Sequence, residues 1–530
     1  MSSNTSTGGI EGADRTSRTI GSWSPSRQPM DALIGLGAKD TADYRARDML
    51  INDGYAQGAA SMHKDSIVGT QYRLNSMPNL KALGFLDYDW EEEFQEIVEA
   101  RFNLAAESPR AYFDRMGIND FTAMVRLVVG LFFATGEVTA VVDWLEEENR
   151  PFNTAIQLVN SNRLSNPNNG MDTQYLRSGV EIDSKGRPTH YHFRNGEQYD
   201  MYGVSHEWRR VPAATPWGRQ QVIHIMEQRL ADQHRGIADM VSVLKKMRMT
   251  AKYQDVVLQQ AVLQATYAAV IESELPREIV SAQMGEEDPT GESALAFLSN
   301  VAEYSAGRDI MLNDVKVPVL FPNTKLNLKQ LSDPAGIGAN FEESLLRHTA
   351  AGLGLSYEQF SRDYSKTNYS SARASMSEAA KSMQSRKKMV ADRFATSVFR
   401  LWLEEEINNG TVPLPKGKGL KWFYSNPLHL DALAGCSWIG ASRAQIDELK
   451  ETQAAMLRIE AGFSTREIEC AAMGRDWRDM FRQLEREKRV AEQLGINLTT
   501  DNSKTKPKPT RNTDDADTDN DVKTEDKTDE

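Results

Sequence analysis

The stretch Trp208-Arg-Arg-Val-Pro-Ala-Ala-Thr-Pro-Trp-Gly-Arg-Gln-Gln-Val-Ile-His-Ile225, continued through His234-Arg-Gly236 to Glu272, decides how this chain is read. Its first half carries Pro212, Pro216 and Gly218, which predict a loop closing on a short buried strand from Val222 to Ile225. Its second half is different: from Ile237 to Leu275 no Gly or Pro interrupts a helix. Unbroken, that helix would be a rod of roughly 55 Å. Lys245, Lys246, Arg248, Lys252 and Asp255 interrupt its apolar positions, so it does not suit a bilayer interior and needs protein neighbours instead.

Upstream of this stretch the pattern is of short strands between turns. Ile156 to Asn160 is one strand and 166–170 a loop. Gly179 to Ile182 and Thr189 to Arg194 pair as a hairpin across the turn 183–186. Before them, Trp90 to Phe102 places Phe94, Ile97, Val98, Arg101 and Phe102 on one helical face, and Asp120 to Phe133 is a second helix capped by Asn119 or Asp120. Glu137 to Leu145 alternates as a strand, and Asp65 to Val68 is expected to begin another.

Downstream, Leu275-Pro276 ends the long helix and 284–292 is a turn-rich acidic insertion. A helix at Ala294 to Tyr304 is followed by strands at Arg308 to Leu312 and Val315 to Phe321, the latter an edge because it contains Pro318. Helices follow at Ala339 to Leu353 and Ser371 to Asn409, separated by the polar segment 363–371. Then come a short strand at Trp422 to Tyr424 and helices at Ala444 to Glu460, Thr465 to Met473 and Asp476 to Leu494. The fold class is therefore α+β, rich in helix.

Composition narrows the function. The 530 residues are 40% hydrophobic, enough for real cores and for three or four domains, and the formal charge is -13. That charge argues against tight or sequence-specific nucleic-acid binding, which places Lys and Arg on phosphates. Cys436 and Cys470 stand alone, so neither a disulfide framework nor a zinc cluster is implied, in keeping with a reducing cytoplasm. The polar N-terminus has no apolar signal region, and the most lipophilic window, Leu127 to Ala140, is too short and too interrupted for a membrane span.

The central stretch resembles the lambda-type bacteriophage portal proteins. The likeness rests on Arg210-Val-Pro-Ala213, Gly218-Arg219, Val222-x-His224 and Gln233-x-Arg235-Gly236 in that order. Further elements are Arg45-Ala-Arg-Asp-Met-Leu50, Ile67-Val-Gly69, Ala461-Gly-Phe-Ser-Thr465 and Gly474-Arg-Asp476, so it spans about residues 45 to 495. The resemblance implies a portal-type subunit. It would comprise a flexible segment 1–30, a wing 31–235, a first stem helix 236–274, a clip 275–338, a second stem helix 339–356, a tunnel loop with its long helix 357–410, a wing return and helical crown 411–497, and a disordered tail 498–530 with no aromatic residue.

It further implies a ring of about twelve copies at one capsid vertex of the virion, assembled in the bacterial host cytoplasm. Double-stranded DNA would pass through it without sequence specificity. The implied partners are a terminase large subunit, capsid and scaffold proteins, and neck proteins; no membrane is involved. In the tunnel loop the candidate channel residues are Ser365, Lys366, Thr367, Asn368, Tyr369 and Ser370. Short hydrogen-bonding side chains suit a surface that DNA slides past, since every firm phosphate contact is a brake. Arg386, Lys387, Lys388 and Arg393 form a secondary basic cluster on the helix behind. Set aside from the family, the first group reads as a surface loop and the second as a solvated charge run.

Catalytic signatures are not found in the sequence. A phosphate loop, Gly-x-Ser-x-Gly and His-Glu-x-x-His are all missing, and Gly352-x-Gly354 lacks a preceding strand and a third Gly. No enzyme, cofactor or metal is expected. His190 and His192, two apart in a strand, have no third ligand at metal spacing nearby in sequence. The runs Glu91-Glu92-Glu93 and Glu404-Glu405-Glu406 read as surface. Two alternatives come from other classes: a monomeric head-assembly adaptor, and a nuclease or hydrolase with an unrecognised site.

Overall fold

The computed structural model describes residues 26–35, 37–196, 207–266, 310–312, 315–317, 337–365, 368–442 and 447–496, with positions 22 and 24 besides. Its body is built on the antiparallel strands β2 (Glu137–Trp144), β3 (Thr154–Val159) and β8 (Val222–Met226), ordered β3-β2-β8 with β2 in the centre. β2 follows the two-residue period of a strand buried on both faces. Val138, Ala140 and Val142 belong to the large helical core, whereas Val141 joins a smaller core with Val159, Val180, Tyr191, Phe193, Val211 and Val222.

That smaller core lies under a four-stranded antiparallel sheet of β4 (Leu176–Arg177), β5 (Val180–Ile182), β6 (Pro188–Arg194) and β7 (Trp208–Pro212), in that order. The hairpin and the strands at 137, 156 and 222 are as the alternation predicts. Trp208–Pro212, expected as loop, is an edge strand, because Pro212 comes last and costs the ladder nothing there.

On the other face of β2 packs helix Phe121–Thr135, and helices Ala38–Asn52, Gly54–Ile67 and Tyr88–Ala106 share its core. Asp87 and Asp120 cap Tyr88–Ala106 and Phe121–Thr135, each accepting the backbone N–H three residues on. Against them lies a long helix, Tyr369–Arg386 and Arg393–Asn408 joined by a π-helical turn at Lys387–Asp392. Phe102 on one helix and Phe399 and Trp402 on the other meet edge-on, with ring centroids 5.2 to 5.5 Å apart. At the far side β1 (Arg73–Ser76) pairs with β11 (Cys436–Ile439), and Tyr72 stacks on Trp438, tying early sequence to late.

Two expectations are corrected. Asp65 to Val68 does not open a strand: helix Gly54–Ile67 runs through it, and the chain turns at Gly69 before entering β1. Trp422 to Tyr424 is the end of a short helix, Leu420–Phe423, where His429 stacks on Trp422 at 4.1 Å. Aromatic residues carry strand preference only where a neighbouring strand is available to use it.

The long helix after Gly236 begins later than the unbroken sequence allows, at Leu244, and is described to Thr266. Residues before it form a turn, Asp239–Ser242, whose Met240 is pinned in the core. Its neighbour is Ile337–Gly352. Tyr253 meets Phe341, Gln254 donates to Glu342 at 2.6 Å, and Met247 and Leu346 line a common small cavity, so the pair is antiparallel. Between these helices only the short hairpin of β9 (Ile310–Leu312) and β10 (Val315–Val317) is described. The insertion at 284–292 and the helix at 294–304 lie outside the described residues. Among the described residues no helix is long and apolar enough to cross a membrane.

The chain crosses itself at Gly136 and Gly236. Gly136 ends helix Phe121–Thr135 with a φ of +76°, and a Cβ on Gly236 would lie 2.2 Å from the Gly136 carbonyl oxygen. Gly236→Ala is therefore expected to destabilise the fold by more than the roughly 1–3 kcal/mol usual for overpacking. Gly58→Ala, in a helix where a Cβ meets nothing within 4 Å, should raise stability slightly. Thermal melts of both variants check the contrast; equal effects would contradict the backbone crossing.

Candidate functional site

Among the described residues a dense buried cluster centres on Glu137, the first residue of β2. It is wholly buried, and Arg235 lies against it, its Nη2 donating at 2.8 Å and its Nε at 3.0 Å to the same carboxylate oxygen. The other oxygen accepts from the Gly236 backbone N–H at 2.7 Å and from His224 Nε2 at 3.2 Å. Ser161 donates its hydroxyl to the first oxygen, and Lys39 stands 3.5 Å away. Arg235 spends its remaining donors on the carbonyls of Leu164, Ser178 and Ser161. Burial alone would push Glu137 up, but Arg235, Lys39 and His224 hold its carboxyl well below the usual carboxylate range. Beside it burial pushes Asp43 up to about 6, against the pull of its partner Lys39.

A second buried set corrects the reading of Glu404-Glu405-Glu406 as surface. All three lie within the last turns of the long helix and are 6% exposed or less. They point in different directions, as consecutive helical residues must, and each direction holds a donor. Arg219 reaches Glu404 at 2.6 Å, the backbone N–H groups of Asn153 and Thr154 reach Glu405 at 2.6 and 2.9 Å, and Arg101 reaches Glu406 at 2.7 Å. This set fastens the long helix to the β-sheet and to helix Tyr88–Ala106.

The motifs of the central stretch thus have structural work. Arg219 holds Glu404, His224 and Arg235 converge on Glu137, and Gly236 lets the chain pass Gly136. Glu137 itself was not singled out from sequence. A lone carboxylate opening an apolar strand is the signal that finds it, since such a charge demands a partner.

His190 and His192 share Glu181, which the hairpin brings across from β5. His192 Nε2 is 2.6 Å from one of its oxygens and His190 Nδ1 3.3 Å from the other. A third potential ligand is therefore present in space. Arg210 occupies the remaining side, donating to Glu181 at 2.6 and 2.8 Å and to His190 at 3.0 Å. With Arg210 hydrogen-bonding first and His192 adding to it, Glu181 is held down at about 2. The arrangement is a charge cluster with a cation already in place, and no group among the described residues has metal-site geometry.

The candidate channel residues divide between a loop and a helix. Arg362 adopts a left-handed conformation after the short helix Tyr357–Ser361, and Ser365 donates its backbone N–H to Asp363. Asn368 caps helix Tyr369–Arg386 by accepting the Ser371 N–H at 2.8 Å, so Tyr369 and Ser370 are its first turn. Ser365, Asn368 and Ser370 are exposed; Lys366 and Thr367 lie outside the described residues.

The secondary basic residues do not act as one patch. Arg386 ion-pairs with Asp239. Lys387 binds Asp392 at 2.8 Å and the Trp438 carbonyl at 2.9 Å and lies over the Tyr72 ring, while Lys388 and Arg393 are exposed.

The geometry is that of a scaffold: an α+β body fastened by buried ion pairs and carrying an antiparallel pair of helices. Residues 16–387 match the family described as "Phage portal protein, lambda family". The chain is 37% identical over 477 residues to the portal protein of Escherichia phage N15, covering 90% of this chain and 88% of that one. It is also 37% identical to portal protein B of Escherichia phage lambda, over 88% and 86% of the two chains. A solved structure titled "Neck of empty GTA particle computed with C6 symmetry" aligns over 91% of this chain and 98% of that one at 13% identity, with a TM-score of 0.39. On the sequence relationships, this protein belongs to the lambda family of phage portal proteins.

Removing one member of the central pair exposes its role. Glu137→Gln leaves Arg235 charged and unneutralised in the core and is expected to cost about 3–5 kcal/mol, measured by urea unfolding. A loss under about 1 kcal/mol would show that the pair is dispensable. Asp43 gives a pH test. Its folded pKa of about 6 lies above the ordinary value for Asp, so it destabilises the fold as pH rises through that window and stays ionised above it. Asp43→Asn removes this term, so its Tm relative to the wild type should rise between about pH 4 and pH 7. A constant difference would contradict a raised Asp43.

Proposed function

We propose that about twelve copies of this chain form a ring at one capsid vertex, through which the genome is packaged, retained and ejected, and to which the head-to-tail connection is made. The observation that carries this reading is the 37% identity to portal proteins along nine-tenths of the chain. The stem helices support it. Val256, Leu258 and Val262 on one, and Phe341 on the other, are more than half exposed in the single copy. Neighbouring subunits in a head-to-tail ring would cover such faces.

In this reading residues 31–235 form the wing, 236–274 and 339–356 the stem, 275–338 the clip and 411–497 the wing return and crown. The protein is a structural conduit with no reaction of its own; the terminase large subunit supplies energy, scaffold and capsid proteins surround the ring, and neck proteins bind it afterwards. Assembly takes place in the bacterial cytoplasm, and the product is a virion component.

Ser365 to Ser370 are the segment we assign to the channel constriction. Support comes from the exposure of Ser365, Asn368 and Ser370 at the mouth of a helix whose other end is locked into the core. Lys388 and Arg393, the exposed cations of the basic run, are left to meet phosphate or a neighbouring subunit's carboxylates.

Light scattering on purified protein, with scaffold and shell proteins added if needed, should give a species of roughly 710 kDa, twelve times the 59.4 kDa chain. A persistent monomer under both conditions would contradict the ring and favour the adaptor. Replacing residues 366–370 by a Gly-Ser linker should leave rings intact and impair DNA packaging or retention; normally filled heads would reject the constriction assignment.

A further inference from the structure

Among the described residues ahead of helix Ala38–Asn52, one side chain is buried, Ile34, and one hydrogen-bonds to the body, Asp31. Both belong to the short helix Met30–Ile34. The partner of Asp31 is His234, at the position that the element Gln233-x-Arg235-Gly236 leaves open. The flanking side chains turn elsewhere: Gln233 donates to the Arg235 carbonyl at 2.7 Å, and Arg235 donates to Glu137 at 2.8 Å. His234 donates its backbone N–H to one Asp31 oxygen at 2.9 Å. Its ring lies between two further acceptors, with Nδ1 2.6 Å from the other Asp31 oxygen and Nε2 2.9 Å from the Gly186 carbonyl in the β5–β6 turn.

A neutral imidazole has one N–H and one bare lone pair, so it can serve only one of these two oxygens and must set its lone pair against the other. The imidazolium donates from both nitrogens. Turning the ring over offers no way out, because it would press C–H groups on oxygens much closer than the roughly 3.3–3.6 Å of a C–H···O contact. The surrounding charges agree. The Asp31 hydrogen bond holds His234 above the ordinary histidine value against its partial burial, and Arg177 on β4 opposes this only weakly. Asp183, in the turn itself, is taken up by the backbone N–H groups of Lys185 and Arg187.

We propose that protonated His234 is a pH-sensitive clasp that holds the segment ahead of helix Ala38–Asn52 on the body, and that loss of its proton releases that segment. The clasp joins three parts of the chain: helix Met30–Ile34, the β5–β6 turn and the segment that carries Arg235. A histidine raised in the docked form stabilises docking fully below its ordinary value of 6.5, and that contribution is lost as pH rises through the raised value. Ile34 is then the one buried side chain left to hold the segment. Glu137 is held low and Arg235 high, so the central pair keeps its charges through this window and the body stays fastened. Nothing in the clasp depends on the number of subunits.

Hydrogen–deuterium exchange of the full-length protein, in whatever assembly it forms, reads the clasp in the peptides spanning 28–36 and 228–236. After correction for the intrinsic pH dependence of amide exchange, protection in both should fall at least about threefold between about pH 6 and about pH 9. Helix Phe121–Thr135 should keep its protection throughout. Asp31→Asn leaves an oxygen for the ring to donate to but removes the charge, so the fall should come at lower pH. His234→Gln, neutral at every pH, should leave 28–36 weakly protected with no pH dependence. Constant protection of the wild type would overturn the clasp, as would an unshifted fall in Asp31→Asn. A fall that persists in His234→Gln would assign the release to another group, and simultaneous loss of protection in Phe121–Thr135 would show unfolding in place of release; either result rejects the proposal.

Discussion

The buried pair of Glu137 and Arg235 is the constraint on which this architecture depends. It joins the start of the central strand to the segment that leads into helix Leu244–Thr266, and its satisfaction recruits residues from five places in the chain: Lys39, Ser161, Leu164, Ser178 and His224. A buried ion pair is weak evidence for stability when compared with an apolar replacement, yet losing either partner is costly. Its role here is one of position. The carboxylate accepts the Gly236 N–H, and that contact fixes the chain just before it turns toward helix Leu244–Thr266.

From this point the layers follow. The three-stranded sheet is buried on both faces, one against helices and one against the outer four-stranded sheet, and the long helix is fixed to the sheet side through Glu404 and Glu405 and to helix Tyr88–Ala106 through Glu406. Firm charge fixation in the body contrasts with what surrounds it. Helices Leu244–Thr266 and Glu448–Glu460 leave large apolar side chains exposed, Leu258 and Leu457 among them. In the proposed ring, neighbouring copies would cover these exposed apolar side chains.

Much of the fold was legible because period and caps agreed. The alternation at Glu137 to Leu145, the hairpin around 183–186 and the cap at Asp120 each had local causes visible in a few residues. The misses share one cause, which is tertiary context. Trp422-Phe-Tyr424 carries strand preference but has no strand beside it, and Glu404 to Glu406 read as surface because their donors, Arg219 and Arg101, are some two to three hundred residues away in sequence. The late start of helix Leu244–Thr266 is of the same kind, since Met240 and the Glu137 contact hold the preceding residues in the body. At the candidate channel segment, sequence located the polar stretch; that Asn368 caps a helix, dividing the stretch between loop and first turn, needed coordinates.

Single-particle imaging of the assembled protein is the most direct test of the central claim, that this chain is one subunit of a closed ring with a channel. The account predicts an open-centred ring with rotational symmetry near twelve, the stem helices side by side around the channel and residues 365–370 at its narrowest point. A closed or asymmetric assembly, or a ring in which those residues lie on the outer surface, would contradict it.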